Sequence, residues 1–366
     1  MTILPQKIFI SMTAGLLLFF GSVQAARAEM LLPVQVNGQF GYINTSGQLV
    51  IAPQFDAAGD FAEGLAFVGR KSGRDLRFGF IDEKGVVRIP IQFQNVQSFS
   101  EGRALVVFRE RYGFIDTSGK FVVEPVFDRA FSFSDGAARV VQVHPKTGES
   151  LYGFVDKHGK LIVKPQYVFA LDFREGLAPF AVSAKNTIRM GYIDKQNRVV
   201  IKPQFNIAGS FSEGLAVVAQ NAVTYLFEGS IYIDEGSSPA KKVMYIDKQG
   251  SVVISGKFDS ASNFSEGLAH IESDGRCRYI DKTGRVMIQP NFPETADCGS
   301  FSEGLAGINA DNGAKYLDKN GKIVIKTEFV WAYPFRGGAA KVRLVTAGGV
   351  VADGYIDRAG RVIWRP

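Results

Sequence analysis

Apolar residues in this chain come in short runs of about four to six, rich in Val, Ile, Phe and Tyr. Gly, Pro, Asn or Asp cuts each run off. None holds a helical period over three turns, so the runs predict β-strands. One phrase recurs nine times: Gly41-Tyr42-Ile43-Asn44, Gly79-Phe80-Ile81-Asp82, Gly113-Phe114-Ile115-Asp116, Gly153-Phe154-Val155-Asp156 and Gly191-Tyr192-Ile193-Asp194, then Met244-Tyr245-Ile246-Asp247, Arg278-Tyr279-Ile280-Asp281, Lys315-Tyr316-Leu317-Asp318 and Gly354-Tyr355-Ile356-Asp357. The copies start 38, 34, 40, 38, 53, 34, 37 and 39 residues apart. Periods of this size mark a repeat architecture.

Each unit reads Leu-Ala-x-Val, a variable turn, Tyr-Ile-Asp, a turn, Val-Val-Ile, Pro-Gln-Phe and Phe-Ser-Glu-Gly. The turn after the aspartate carries Gly47, Gly85, Gly119, Gly159, Gly250, Gly284, Gly321 and Gly360, with Asn197 standing in for unit five. Asp or Asn at the start of a turn accepts backbone N–H groups, and Gly or Asn three residues later tolerates positive φ. Asn37-Gly38, Asp274-Gly275 and Asn312-Gly313 predict tight hairpins just before the Tyr-Ile strand. Each unit is thus expected to be a three-stranded antiparallel meander. Pro53, Pro125, Pro165, Pro203 and Pro290 are expected to end the third strand, since proline has no N–H for the ladder. Two aromatics per unit, for example Phe55 and Phe61, form the expected wedge between neighbours.

A lone unit has no second wall for its aromatics, so the units must stack. Propellers typically have four to eight blades of four strands. Nine three-stranded units therefore predict an all-β fold of tandem meanders stacked as an open, twisted array, with a propeller-like closed ring as the alternative. The long 53-residue step marks an insertion at 219–243, expected to lengthen one hairpin.

These features together resemble the WG-repeat (KWG-type) family of bacterial β-repeat proteins, over roughly residues 31–366. The Trp of the family's Trp-Gly pair is replaced here by Phe40, Phe78, Tyr112 and Tyr152, and the Gly is lost in units six to eight. The resemblance implies a secreted or surface β-repeat protein that mediates interactions. It carries no catalytic residue across.

Residues 1–28 stand outside the repeats. Lys7 precedes an apolar stretch from Ile8 to about Gly21, and Ala26-Arg27-Ala28 offers a small-x-small cleavage site, the layout of a signal peptide. The stretch is shorter than the ~20 residues that span a bilayer. The expectation is a single repeat domain over 29–366 in the periplasm, cell envelope or medium, with no membrane span after cleavage. The net charge of +6 is mild and spread along the units, which argues against a nucleic-acid binder.

Two cysteines, Cys277 and Cys298, fall within one sequence unit. Pairing after export would close a loop of about 21 residues and stabilise by roughly 3 kcal/mol. Two buried apolar thiols are the other reading, and both stand at this point.

An acid recurs in Phe-Ser-Glu-Gly at Glu63, Glu101, Asp135, Glu175, Glu213, Glu266 and Glu303. Such a row could bind cations or basic partners. The plainer expectation is that Ser and Glu accept local backbone N–H groups while Gly turns the chain. Lys157, Lys195, Lys248, Lys282 and Lys319 are expected to form a solvated edge against aggregation. Asn309-Ala310-Asp311-Asn312-Gly313 lacks the spacing of a calcium loop. His144, His158 and His270 lie in different units, and no hydrolase or phosphate-cradling motif occurs. No catalytic, cofactor-binding or metal residue is therefore nominated. The expected function is an exported, non-catalytic scaffold binding a protein or cell-envelope polysaccharide. The alternatives are a carbohydrate-active hydrolase using paired carboxylates and a purely structural spacer.

Overall fold

The computed structural model describes residues 30–365 apart from 185–186, 228–229, 235–240, 291–296, 311–312, 327–328 and 346–348. The described residues form strands and turns, with no helix that could cross a membrane. Nine blade sheets follow one another along the described chain, and a two-stranded sheet sits in the insertion. The first holds Leu31–Val36, Gln39–Asn44 and Leu49–Phe55. The other eight have four antiparallel strands each, as in Ala57–Ala58, Leu65–Ser72, Asp75–Asp82 and Val87–Phe93 of blade 2.

The four-stranded blade corrects the expected three-stranded meander. The extra strand is a two-residue pair ahead of Phe-Ser-Glu-Gly: Ala57–Ala58, Asn95–Val96, Arg129–Ala130, Phe169–Ala170, Ile207–Ala208, Ser260–Ala261, Asp297–Cys298 and Trp331–Ala332. A two-residue strand is too short to show alternation, so no sequence period betrays it.

The expectation about proline also needs correction. Pro53 lies inside the strand Leu49–Phe55, and Pro125, Pro165 and Pro203 lie inside the matching strands. The register jumps there: Tyr42 faces Ile51, yet Phe40 faces Phe55. The proline sits in a bulge on the outermost strand, where its missing N–H breaks no ladder. Bulged carbonyls press on the preceding Gly of the repeated phrase. A Cβ on Gly191 would collide with the Ile201 carbonyl oxygen. Where that Gly is replaced by Met244, Arg278 or Lys315, the outer strand is only Val252–Ser255, Val286–Ile288 or Ile323–Lys326.

One seam recurs around the molecule. The aromatic of each Tyr-Ile or Phe-Ile phrase meets the Phe of the next blade's Phe-Ser-Glu-Gly, from Tyr42–Phe61 through Phe154–Phe173 to Tyr316–Phe335. Ring centroids in the eight pairs are 4.7–5.1 Å apart. The expected aromatic wedge is therefore the seam itself. Tyrosines add a hydroxyl bond to the next blade's backbone, as Tyr42 to Gly59 and Tyr245 to Ser262, each 2.8 Å.

The ring closes, which overturns the open array. Tyr355 of blade 9 donates its hydroxyl to the Pro33 carbonyl of blade 1 at 3.1 Å. Leu32, Val34 and Ile43 share a core cluster with Ala339 and Tyr355, and Ile363 and Trp364 pack against it. The eight seams between successive blades repeat the same ring contact, so each blade is turned on the last in a similar way, and the ninth seam closes the circle with contacts of its own. Closure also removes the two bare end faces an open array would have to cap.

The insertion forms its own hairpin, Val223–Phe227 with Ser230–Asp234, between the second and third strands of blade 6.

Candidate functional site

Among the described residues, the ring of Ser-Glu-Gly turns and the seam between blades 9 and 1 both bring chemically active side chains together.

Each Ser-Glu-Gly turn is a two-residue hairpin, with Glu and Gly both at positive φ; Glu63 is at 54° and Gly64 at 80°. All seven acids sit at 51–56°. That geometry is unfavourable for a residue with a Cβ, and the carboxylate's partner explains its retention. Glu101 accepts the Gly136 N–H at 2.8 Å, Asp135 the Gly176 N–H at 2.6 Å and Glu266 the Gly304 N–H at 2.9 Å. Each bond crosses to the next blade. The serines cross as well: Ser134 donates to the Phe173 carbonyl and Ser265 to the Phe301 carbonyl, each at 2.7 Å. The expectation of local acceptors was therefore wrong. A repeated motif looks local in sequence, but its partners lie one blade away.

The lysines correct a second expectation. Lys157 pairs with Glu101, Lys195 with Asp135, Lys248 with Glu175, Lys282 with Glu213 and Lys319 with Glu266, at 3.0–3.2 Å. They are latch cations rather than a free edge. Burial works against the charge of Asp135, Glu213 and Glu266, but the glycine N–H and lysine ammonium outweigh it and hold all three below the usual carboxylate range. Glu63 has the Gly102 N–H at 2.8 Å, and Thr117 stands where later blades carry the cation. The turns lie toward the axis, since one cleft is lined from four consecutive blades by Ser100, Asp135, Arg174 and Ser212.

The second place is a cleft of about 730 Å³ where the ring closes. Blade 9 contributes Lys341, Arg343, Asp353, Tyr355 and Trp364; blade 1 contributes Pro33, Val34, Gln35 and Phe40; blade 2 contributes Gly59, Asp60 and Phe67. Lys341 pairs with Asp353 at 2.6 Å. Arg343 is exposed and has no ion-pair partner among the described residues. Burial, with Asp60 nearby, pushes the Tyr355 hydroxyl far up, so it remains a donor at any ordinary pH. No repeated motif pointed to this cleft, because it exists only where the two ends of the chain meet.

Cys277 and Cys298 are bonded. They sit in adjacent blades rather than one, Cys277 on Arg276–Ile280 and Cys298 on Asp297–Cys298. His270 is half-buried, and its desolvation holds its pKa below the ordinary value although Asp297 and Glu272 oppose this. His144 and His158 both lie on loops of blade 4, away from His270 in blade 7. The calcium-like stretch includes residues 311–312, which lie outside the described residues. Among the described residues no three His, Cys, Asp or Glu side chains group as metal ligands would.

The WG containing repeat model matches eight stretches: 40–70, 78–111, 112–142, 152–185, 190–222, 244–277, 278–313 and 316–344. This chain belongs to the WG-repeat family. Each matched stretch begins on the Tyr-Ile strand of one blade and ends on or after the Leu-Ala strand of the next, so each straddles a seam between successive blades. Cys277 closes the 244–277 match and Cys298 lies within the 278–313 match, so their bond links consecutive repeats as well as consecutive blades. Among solved structures, a crystal structure of the eukaryotic initiation factor is similar at 13% identity, over 81% of this chain and 82% of its own, with a TM-score of 0.52. That likeness shows the fold alone. Apo AztD from Citrobacter koseri is similar over 81% of this chain and 93% of its own, at 10% identity and a TM-score of 0.40. No curated protein matches this chain.

Proposed function

We propose that this WG-repeat propeller is an exported, non-catalytic scaffold that binds a protein or cell-envelope polymer, and that the contact site is the cleft between blades 9, 1 and 2. The observation that carries the reading is a contrast. The repeated acids are committed to the seams, whereas the cleft at the closing seam keeps exposed charge beside aromatic walls. Binding residues concentrate where a rigid scaffold departs from its own regularity. The signal-like residues 1–28 and the Cys277–Cys298 bond both fit an oxidising compartment outside the cytoplasm.

A paired-carboxylate hydrolase is less well supported. Glu101, Asp135, Glu175, Glu213, Glu266 and Glu303 each accept a backbone N–H and face a cation, which leaves them poorly suited to proton transfer.

The test is site-specific photocrosslinking in the producing cell. A photoreactive residue at Trp364 should give discrete adducts, and one at Met287 on an outer strand should not. Identical adducts from both positions, or none from Trp364, would remove the cleft from the reading.

A further inference from the structure

Blade 1 lacks its first strand among the described residues, and the other eight blades show what would fill the place. In blade 2 that strand pairs Ala57 with Gly69 and Ala58 with Val68. Leu31 pairs with Asn44 as Leu65 pairs with Asp82, so Val34 and Gln35 of blade 1 match Val68 and Gly69. Both line the seam cleft. The Gly69 carbonyl accepts the Asp56 N–H, so the matching Gln35 carbonyl and N–H point at the vacant side. Tyr355 fits the vacancy. Elsewhere the seam tyrosine reaches the carbonyl just after the neighbour's first strand, but Tyr355 reaches Pro33 on Leu31–Val36, and among the described residues no aromatic ring pairs with it.

The eight filled places share a pattern. The second residue is Ala, Val or Cys, and a Phe follows three positions later, as in Ala170 and Phe173. Counting back from Leu31 puts Gln24 at the small position, Arg27 at the Phe position and Met30 at the turn Gly. The chain's own preceding residues therefore depart from the pattern at all three.

Charge specifies the occupant further. At the seam of blades 4 and 5, Arg139 is only 8% exposed and meets Asp172 of the next blade at 3.0 Å, two residues after Ala170. Lys341 occupies the Arg139 position at the open seam, with Arg343 beside it.

We propose that blade 1 takes its fourth strand from another protein: an extended segment reading small-x-acid-Phe, paired along Val34–Gln35 with its acid toward Lys341 and Arg343. This rests on the cleft as the contact site and names the partner's chemistry. Backbone bonds along the edge would supply affinity, and the small, acidic and aromatic positions would supply specificity.

The probe is a synthetic peptide with the chain's own blade 5 sequence, residues 168–176, titrated by fluorescence anisotropy into the protein as processed by its producing cell. Saturable binding is expected. Ala170→Lys or Asp172→Lys in the peptide should weaken it at least tenfold. Gln35→Pro in the protein should do the same while leaving the melting temperature nearly unchanged, because it removes an N–H outside the existing ladder. Amide exchange at Gln35 should be fast in the free protein and slowed about a hundredfold by peptide. Slow exchange without peptide would mean the place is already filled, and overturns the proposal. So does binding that survives Gln35→Pro but falls with Trp364→Ala, which would keep the cleft as a contact site without strand pairing. Absence of saturable binding together with absence of Trp364 crosslinks would overturn both readings.

Discussion

A carboxylate on a left-handed backbone is the costliest recurring choice in this chain, and its partner one blade away accounts for it. Removing the Glu266 carboxylate frees the Gly304 N–H and leaves the Lys319 ammonium only its bond to the Glu266 carbonyl. Glu266 is partly solvated, so the expected loss is at the low end for a charged hydrogen bond, about 1 kcal/mol, read as a shift in urea midpoint. Ser265→Ala strands the Phe301 carbonyl and should cost about 1 kcal/mol as well. Acid should weaken the ring. Asp135, Glu213 and Glu266 titrate lower in the folded chain than unfolded, so their contribution is present above the ordinary carboxylate range and fades as pH falls through the folded values. His270 is also depressed by burial, so the unfolded chain takes up its proton first. Stability should be level from pH 8 to about 7 and decline below about 6.5, the ordinary His value. His270→Gln should flatten the upper part of that decline.

Within the blade, the repeated glycine and the proline bulge are one device. The outer strand can run on through the bulge only where a glycine lets its carbonyl approach. Gly191→Ala forces a Cβ against the Ile201 carbonyl and should cost about 1–3 kcal/mol by thermal or urea unfolding. The same bond length of side chain at Met244 is tolerated, since its outer strand stops at Ser255. The turn after each Tyr-Ile-Asp was readable from residues alone. One Asp or Asn oxygen accepts the N–H groups two and four positions on, as Asp194 does from Gln196 and Arg198 at 3.0 and 2.9 Å. The two-residue first strands were not readable, because Ala57–Ala58 or Asp297–Cys298 has no pattern of its own and pairs only once the next hairpin is in place.

For the molecule as a whole, the seams decide both stability and shape. The Cys277–Cys298 bond ties blade 7 to blade 8 across 21 residues. Reducing it should lower stability by roughly 3 kcal/mol, measured by denaturant unfolding with and without reductant. Deleting blade 9 from Trp331 onward would strip Tyr316 of its Phe335 partner and blade 1 of Tyr355. The expected result is a broad, less cooperative melt with dye-accessible apolar surface, whereas the intact ring should melt in one sharper transition.

What the chain by itself determined is everything set within a few residues: strand, turn, the glycine that a bulge requires and the aromatic spacing that makes a unit need a neighbour. Those features follow from backbone sterics and from hydrogen bonds between positions two to four apart. Closure of nine units into a ring, the use of Glu and Lys as latches and the cleft at the closing seam belong to the tertiary structure. Each depends on groups brought together from different blades, Tyr355 and Pro33 from opposite ends of the chain, and no local pattern encodes a meeting of that kind.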